Sequence, residues 1–269
     1  MTPPGEWFDR HAPADMELSA SIDDTMEHSF GYLRHIQAIT ADQQRGWVGV
    51  MGASDHQMVR EAVAATYGMI EFIDDGVGRI LDSIDRLGQL DNTIVVFTSD
   101  HGDMMGDHGL MLKGFIPYRG TMQVPFVVAD PRRPAGRTSS LAGSIDVGST
   151  LMDLCGVAPH DGIQGCSLAP ILDDPAATVR DHVLIEDDIR PALAARRGLP
   201  TRIRTIVSND GWKYTRNGHG DTMLFDLQAD PNELHELSHL DAGHKARADS
   251  VLVEALMNAT DDARGAPVS

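Results

Sequence analysis

Asp100 and His101 set a carboxylate beside an imidazole where an apolar run ends, and Lys113 follows across a glycine-rich stretch, Gly102-Asp-Met-Met-Gly-Asp-His-Gly109. Oxygen and imidazole donors together suit a divalent cation. An ammonium folded back towards such a cation makes a site for an anionic, oxygen-rich group. Residues 92–98, Asn-Thr-Ile-Val-Val-Phe-Thr, are short, β-branched and bounded by turn residues, which predicts a buried parallel strand. Ligands gather beyond the carboxyl ends of strands in open α/β sheets. Neighbouring residues on a strand point to opposite faces, so both donors reach one cation only if the backbone turns, which Gly102 permits. The residues alone also allow a plainer reading: an aspartate closing a turn, a solvated histidine and a solvated lysine.

The string Thr-Ser-Asp-His-Gly-Asp-Met-Met-Gly-Asp-His-Gly-Leu-Met-Leu-Lys-Gly over 98–114, with Tyr118 and Gln123-Val-Pro-Phe-Val-Val128, resembles the sulfatase branch of the alkaline-phosphatase superfamily. Phosphonate monoester hydrolases share this layout. Asp74-Asp-Gly-Val-Gly78, Ser144-Ile-Asp-Val-Gly-Ser-Thr150, Trp212-Lys-Tyr214, Leu224-Phe-Asp-Leu227 and Asp230-Pro-Asn-Glu233 extend the likeness over roughly residues 55–260. The resemblance implies metal ligation by Asp100 and His101, with Ca²⁺ first and Mg²⁺ or Mn²⁺ as alternatives. It implies contact of Lys113 with an ester oxygen, and hydrolysis of a small anionic sulfuric ester. A phosphonate monoester or phosphodiester is the alternative substrate.

One departure matters. The family carries a Cys/Ser-x-Pro-x-Arg segment whose first residue becomes a formylglycine nucleophile, and neither Cys155 nor Cys166 lies in such a segment. The opening Thr2-Pro-Pro-Gly-Glu-Trp-Phe8 resembles the stretch after the family's His-x-Pro motif. The expectation is therefore the C-terminal portion of such an enzyme, inactive by itself. The reading from another class is a split or degenerate member that binds anions or a partner chain through an exposed sheet edge.

With 22 basic and 40 acidic residues the formal charge is -18, which argues against nucleic acid and anionic membrane surfaces. No apolar run has the length of a membrane span, and the N-terminus does not read as a signal peptide. Two cysteines allow at most one bridge. Free thiols and a cytoplasmic setting are the expectation.

The elements that must position the site read as follows. Residues 1–52 look irregular and surface-wrapping, with a helical pattern only over 24–41. A long helix starts at Ser54 as cap, buries Val59, Val63, Tyr67, Ile70, Val77, Leu81 and Ile84, and ends at Gly88. Gly76 and Gly78 suggest a close packing contact inside it, with Asp74 buried and Asp75 solvated. A second strand spans 124–129, a short one 141–145, and Asp146 caps a helix to Leu154 with Thr150 in its first turn. Alternation of this kind predicts a three-layer α/β/α domain with a mostly parallel sheet over 1–175. Strands at 182–186, 202–207, 212–215 and 223–227, with turns at 209–211 and 217–220, predict an antiparallel subdomain over 176–269. A helix over 242–257 packs on it, and the tail after Thr260 is expected to be disordered. His108 is read as a proton donor or as loop-ordering, Tyr118 as packing under the loop or lining a pocket, and Met104, Met105 and Met111 as core or pocket rim.

Overall fold

The computed structural model describes residues 2–38, 51–53, 55–160 and 162–264. Helices are α1 (Gly31–Ala38), α2 (His56–Arg86), α3 (Arg119–Met122), α4 (Asp146–Leu154), α5 (Ala169–Asp173), α6 (Pro191–Arg197) and α7 (Ala242–Arg264). Strands are β1 (Met51–Gly52), β2 (Val95–Thr98), β3 (Leu110–Met111), β4 (Phe126–Ala129), β5 (His182–Asp188), β6 (Arg202–Ser208), β7 (Trp212–Asn217) and β8 (Thr222–Asp226). The chain packs as two compact units, Met1–Arg132 and Arg133–Ser269. The compositional change at 173–175 lies inside the second.

In the first unit α2 begins at Asp55, whose carboxylate accepts from the backbone N–H groups of Gln57 and Met58. The expected cap, Ser54, lies outside the described residues, as does the helical pattern beyond Ala38. Val59 is fully buried with Ala53 and Met111, against Leu18, Ile22, Met58, Val63 and Met105. Further along, Tyr67 and Ile70 of the predicted stripe are exposed and Val77, Leu81 and Ile84 are half-buried, while Ile73 and Ile80, outside it, are exposed. Gly76 and Gly78 have open space where a side chain would stand, so the predicted packing contact there is absent among the described residues. Gly68 is the glycine with a packing role, because an added Cβ would strike the backbone of Trp7. Asp74 is exposed rather than buried, and Asp75 pairs with Arg79.

Residues 16–36 do more than wrap the surface. Met16, Met26, Phe30, Leu33 and Ile36 are all buried, and each such side chain contributes about 1.5–3 kcal/mol on leaving water. The strands of this unit form two antiparallel pairs, β1–β3 and β2–β4. The chain has the expected mixed α/β class with an antiparallel C-terminal sheet, and the strand pairs described in the first unit are themselves antiparallel. β2 meets the strand that returns after a loop, so their directions oppose. Phe97 and Val127, cross-strand partners, are exposed, so this pair is not the doubly covered strand that its composition suggested.

The second unit holds an antiparallel sheet in the order β5-β6-β7-β8. Residues 141–145 form no strand. Ile206, Tyr214 and Leu224 pack against Leu252 and Ala255 of α7, which runs past Thr260 to Arg264. Lys213 points the other way and forms a buried ion pair with Glu233. The Tyr214 hydroxyl donates to the Asp249 carboxylate at 2.8 Å, and Arg216 binds the same oxygen at 2.8 Å. Burial raises the Asp249 carboxyl, but Arg216 and Tyr214 together hold it below the ordinary carboxylate value. A depressed carboxyl stabilises the fold above its unfolded value, about pH 3.9, and that contribution fades as pH falls through the lower folded value. Thermal midpoints of wild type and Asp249→Asn are thus expected to differ at pH 7 and to converge towards pH 3. A gap independent of pH would contradict this role for Asp249.

Candidate functional site

β2 ends at Thr98, and the backbone then bends so that two side chains that a straight strand would separate come together. The Ser99 hydroxyl donates to the His101 carbonyl at 2.8 Å, and the Asp100 carboxylate accepts from the His101 N–H at 3.0 Å. Asp100 Oδ2 then lies 3.5 Å from His101 Nε2. Gly102 is obligatory here. Its N–H donates to Thr121, and a Cβ would collide with the backbone of Gly120.

His101 Nδ1 lies 2.7 Å from the Gly102 carbonyl oxygen. A carbonyl only accepts, so Nδ1 carries the proton and Nε2 presents a lone pair. That lone pair faces the Lys113 amine, which is in hydrogen-bond contact with it. The three residues singled out in the sequence thus form one cluster, open to solvent: the Asp100 side chain is 84% exposed and that of His101 38%. Desolvation raises the Asp100 carboxyl. The His101 ring, the His101 N–H and Lys113 outweigh it, so the carboxyl stays ionised below the usual carboxylate range.

Lys113 is brought back by a loop held at three points. Asp103 accepts from the N–H groups of Met105 and Leu112, both at 3.0 Å. The Leu112 clamp matters because this residue sits at φ +66°, a left-handed conformation costing about 1–2 kcal/mol without glycine. Met104 and Met111 are buried and fill the core rather than rim a pocket. His108 is the third anchor. It is buried at φ +52°, its Nδ1 lies 2.7 Å from Asp24 Oδ2, and its ring stacks on Tyr118 with centroids 3.9 Å apart. The Ser21 hydroxyl accepts from the His108 N–H, and the Tyr118 hydroxyl donates to Ser29. Tyr118 therefore packs beneath the loop, and His108 orders it.

Sequence reasoning missed Asp24 and Asp103. Aspartate ahead of the Met-Met-Gly turn is a local signal for Asp103, since such residues bond backbone N–H groups two residues on. Nothing local marks Asp24, which meets His108 across 84 residues of chain.

Asp100 and His101 suit a cation by donor type, one carboxylate oxygen and one imidazole nitrogen whose lone pair here faces Lys113. Among the described residues no group of three or more His, Cys, Asp or Glu is gathered to complete a shell. Asp146 and Thr150 belong to the second unit and are structural. The Asp146 carboxylate accepts from the Gly143 and Cys166 N–H groups at 2.8 and 2.9 Å and pairs with Arg180, while Thr150 bonds the Asp146 carbonyl and the Leu168 N–H. Both cysteines are free.

The family model for sulfatases matches residues 11–157, and that for the C-terminal region of N-sulphoglucosamine sulphohydrolase matches residues 106–260. An arylsulfatase of Clostridium perfringens is 33% identical over 193 residues, covering 70% of this chain and 38% of that protein. A choline-sulfatase of Rhizobium meliloti is 32% identical, covering 67% and 34%. The crystal structure of a phosphonate monoester hydrolase of Agrobacterium radiobacter superposes with a TM-score of 0.76 at 26% identity, over 96% of this chain and 54% of that one. The chain spans about a third to a half of the length of these relatives.

Proposed function

Because this chain belongs to the sulfatase family, we propose that it forms the cation- and oxyanion-binding side of a hydrolase acting on small sulfuric esters. The observation that carries this reading is the cluster at the end of β2, where Lys113 faces the His101 lone pair beside an ionised Asp100. Asp100 and His101 would hold a divalent cation, Ca²⁺ ahead of Mg²⁺ or Mn²⁺. Bound there, it supplies neutralising charge to the ester oxygens. The Lys113 amine would donate to an equatorial oxygen as charge grows in the transition state. The Asp103 and His108 anchors hold the loop that carries Lys113.

The chain lacks a Cys/Ser-x-Pro-x-Arg segment, so the attacking group is not among its residues. By itself it is expected to give no turnover of 4-nitrophenyl sulfate or phenyl phosphonate, measured with millimolar Ca²⁺. Turnover abolished by Lys113→Met would contradict this division of labour. Calorimetric titration with Ca²⁺ and Mn²⁺ tests the ligands: heat of binding is expected from wild type and not from Asp100→Ala with His101→Ala. Equal binding by both would remove the cation from the account.

The likeness to the phosphonate monoester hydrolase supports a second reading, a phosphonate or phosphodiester substrate at the same cluster. The exposed Tyr67, Ile70, Ile73, Phe97 and Val127 support self-association of the chain through this apolar surface. A monomer at micromolar concentration in sedimentation velocity would exclude that.

A further inference from the structure

The second half of α2 carries an apolar row of its own. Ile70, Ile73, Val77, Ile80, Ile84 and Leu87 follow one another at alternating intervals of three and four residues. That is the seven-residue repeat of a helix that packs along another helix. Ile73 and Ile80, which a 3.6-residue stripe leaves out, both belong to it. With 3.6 residues per turn the six side chains fall within about a third of the circumference. Ile70, Ile73, Ile80 and Leu87 are 54%, 51%, 62% and 72% exposed, and Val77 and Ile84 are half-buried.

The chain's own contacts are made on the other side of this helix. An added Cβ on Gly68 would strike the Trp7 backbone, and Phe72 meets the Trp7 ring with centroids 6.0 Å apart. Glu71 holds Arg10 and His11 at 3.1 and 3.0 Å, and Asp75 pairs with Arg79. Gly76 and Ser83 flank the row on one edge, Asp74 and Leu81 on the other. Asp74 is thus the one charge beside it, in a chain whose formal charge is -18. Open space stands where Gly76 would carry a side chain, so a second backbone could approach closely there.

Size agrees with a helical partner. From Ile70 to Leu87 the row runs about 27 Å, and a neighbouring helix covering half of a cylinder roughly 10 Å across hides on the order of 550 Å² on each side. The total, about 1,100 Å², clears the roughly 1,000 Å² that a specific interface needs.

We propose that α2 pairs side by side with α2 of a second copy of this chain along this row, forming a symmetric dimer. One patch meets its own copy across a two-fold axis, so no other partner is needed to close the surface. The proposal rests on the self-association reading and narrows it to one seam, leaving Phe97 and Val127 outside. It is independent of the ester-hydrolase reading.

Sedimentation equilibrium of the full chain, with loading from about 1 to 100 µM, tests it. Wild type is expected to reach twice the chain mass, and to associate more tightly as NaCl rises and screens the repulsion between two acidic copies. Ile73→Lys with Ile80→Lys is expected to weaken the dimer at least fifty-fold and to keep the circular dichroism spectrum, since both side chains are more than half exposed. Should that variant lose helix, Ile80→Ser makes a milder change on the same seam, with about a ten-fold loss expected. Phe97→Lys with Val127→Lys is expected to dimerise like wild type. A dimer unaffected by the seam variants, or broken by the Phe97 and Val127 changes, would overturn the seam and leave self-association standing. A wild-type chain that stays monomeric at the highest loading would overturn both. Association that weakens as salt rises would show an ionic contact and also contradict the proposal.

Discussion

Exchange of Lys113 for methionine is expected to weaken sulfate binding ten- to a hundred-fold while leaving the fold intact. The side chain is exposed, so its removal leaves no buried cavity. What is lost is a charge-assisted hydrogen bond to an oxyanion, worth about 1.5–3 kcal/mol, and about 1.4 kcal/mol is a factor of ten. His101 reports the result. Its ring faces the lysine, so the ring-proton resonance is expected to shift on adding sulfate to wild type and to stay still in the variant. Equal sulfate affinity in both proteins would remove Lys113 from the site.

Asp146→Ala should instead damage the fold, by about 3–5 kcal/mol, the cost of stripping one partner from a buried ion pair. Asp146 is fully buried, and its carboxylate serves two backbone N–H groups as well as Arg180. Without it Arg180 is left largely buried, with its Nε already lacking a partner among the described residues. Asp146→Asn keeps the shape and some of the hydrogen bonds and is expected to cost less. Urea unfolding of both variants measures the difference. A loss under 1 kcal/mol for alanine would show the pair to be dispensable.

How much of this was legible in the sequence varies with the range of the interactions. Asp100, His101 and Lys113 could be singled out because the strand, the Gly102 bend and the loop are all local. The C-terminal hairpins were equally plain, since Asn209-Asp-Gly211 and Asn217-Gly-His-Gly220 fix their turns, and β6–β7 and β7–β8 pair across them. The core contribution of residues 16–36 was hidden. Met16, Met26, Phe30, Leu33 and Ile36 are spread over turns and a short helix, where no single period links them. Helix α2 misled in the opposite sense: its stripe has the right period, but period says nothing about whether a neighbour covers Tyr67 or Ile70. Residues 92–98 misled similarly, because a continuous apolar run describes a covered strand, and Phe97 is open. The His108 role depended on Asp24, which only the fold brings near.

The ammonium of Lys113, aimed by Asp103 and His108 at the site of an oxyanion, is the claim most open to direct measurement. The chain has three lysines, Lys113, Lys213 and Lys245. Reductive ¹³C-methylation therefore gives a spectrum simple enough to assign by single substitution. With Ca²⁺ present, stepwise addition of sulfate is expected to move the Lys113 methyl resonance along a saturating curve and to leave Lys245 in place. A Lys113 resonance that does not move, or that drifts in step with Lys245, would contradict the account.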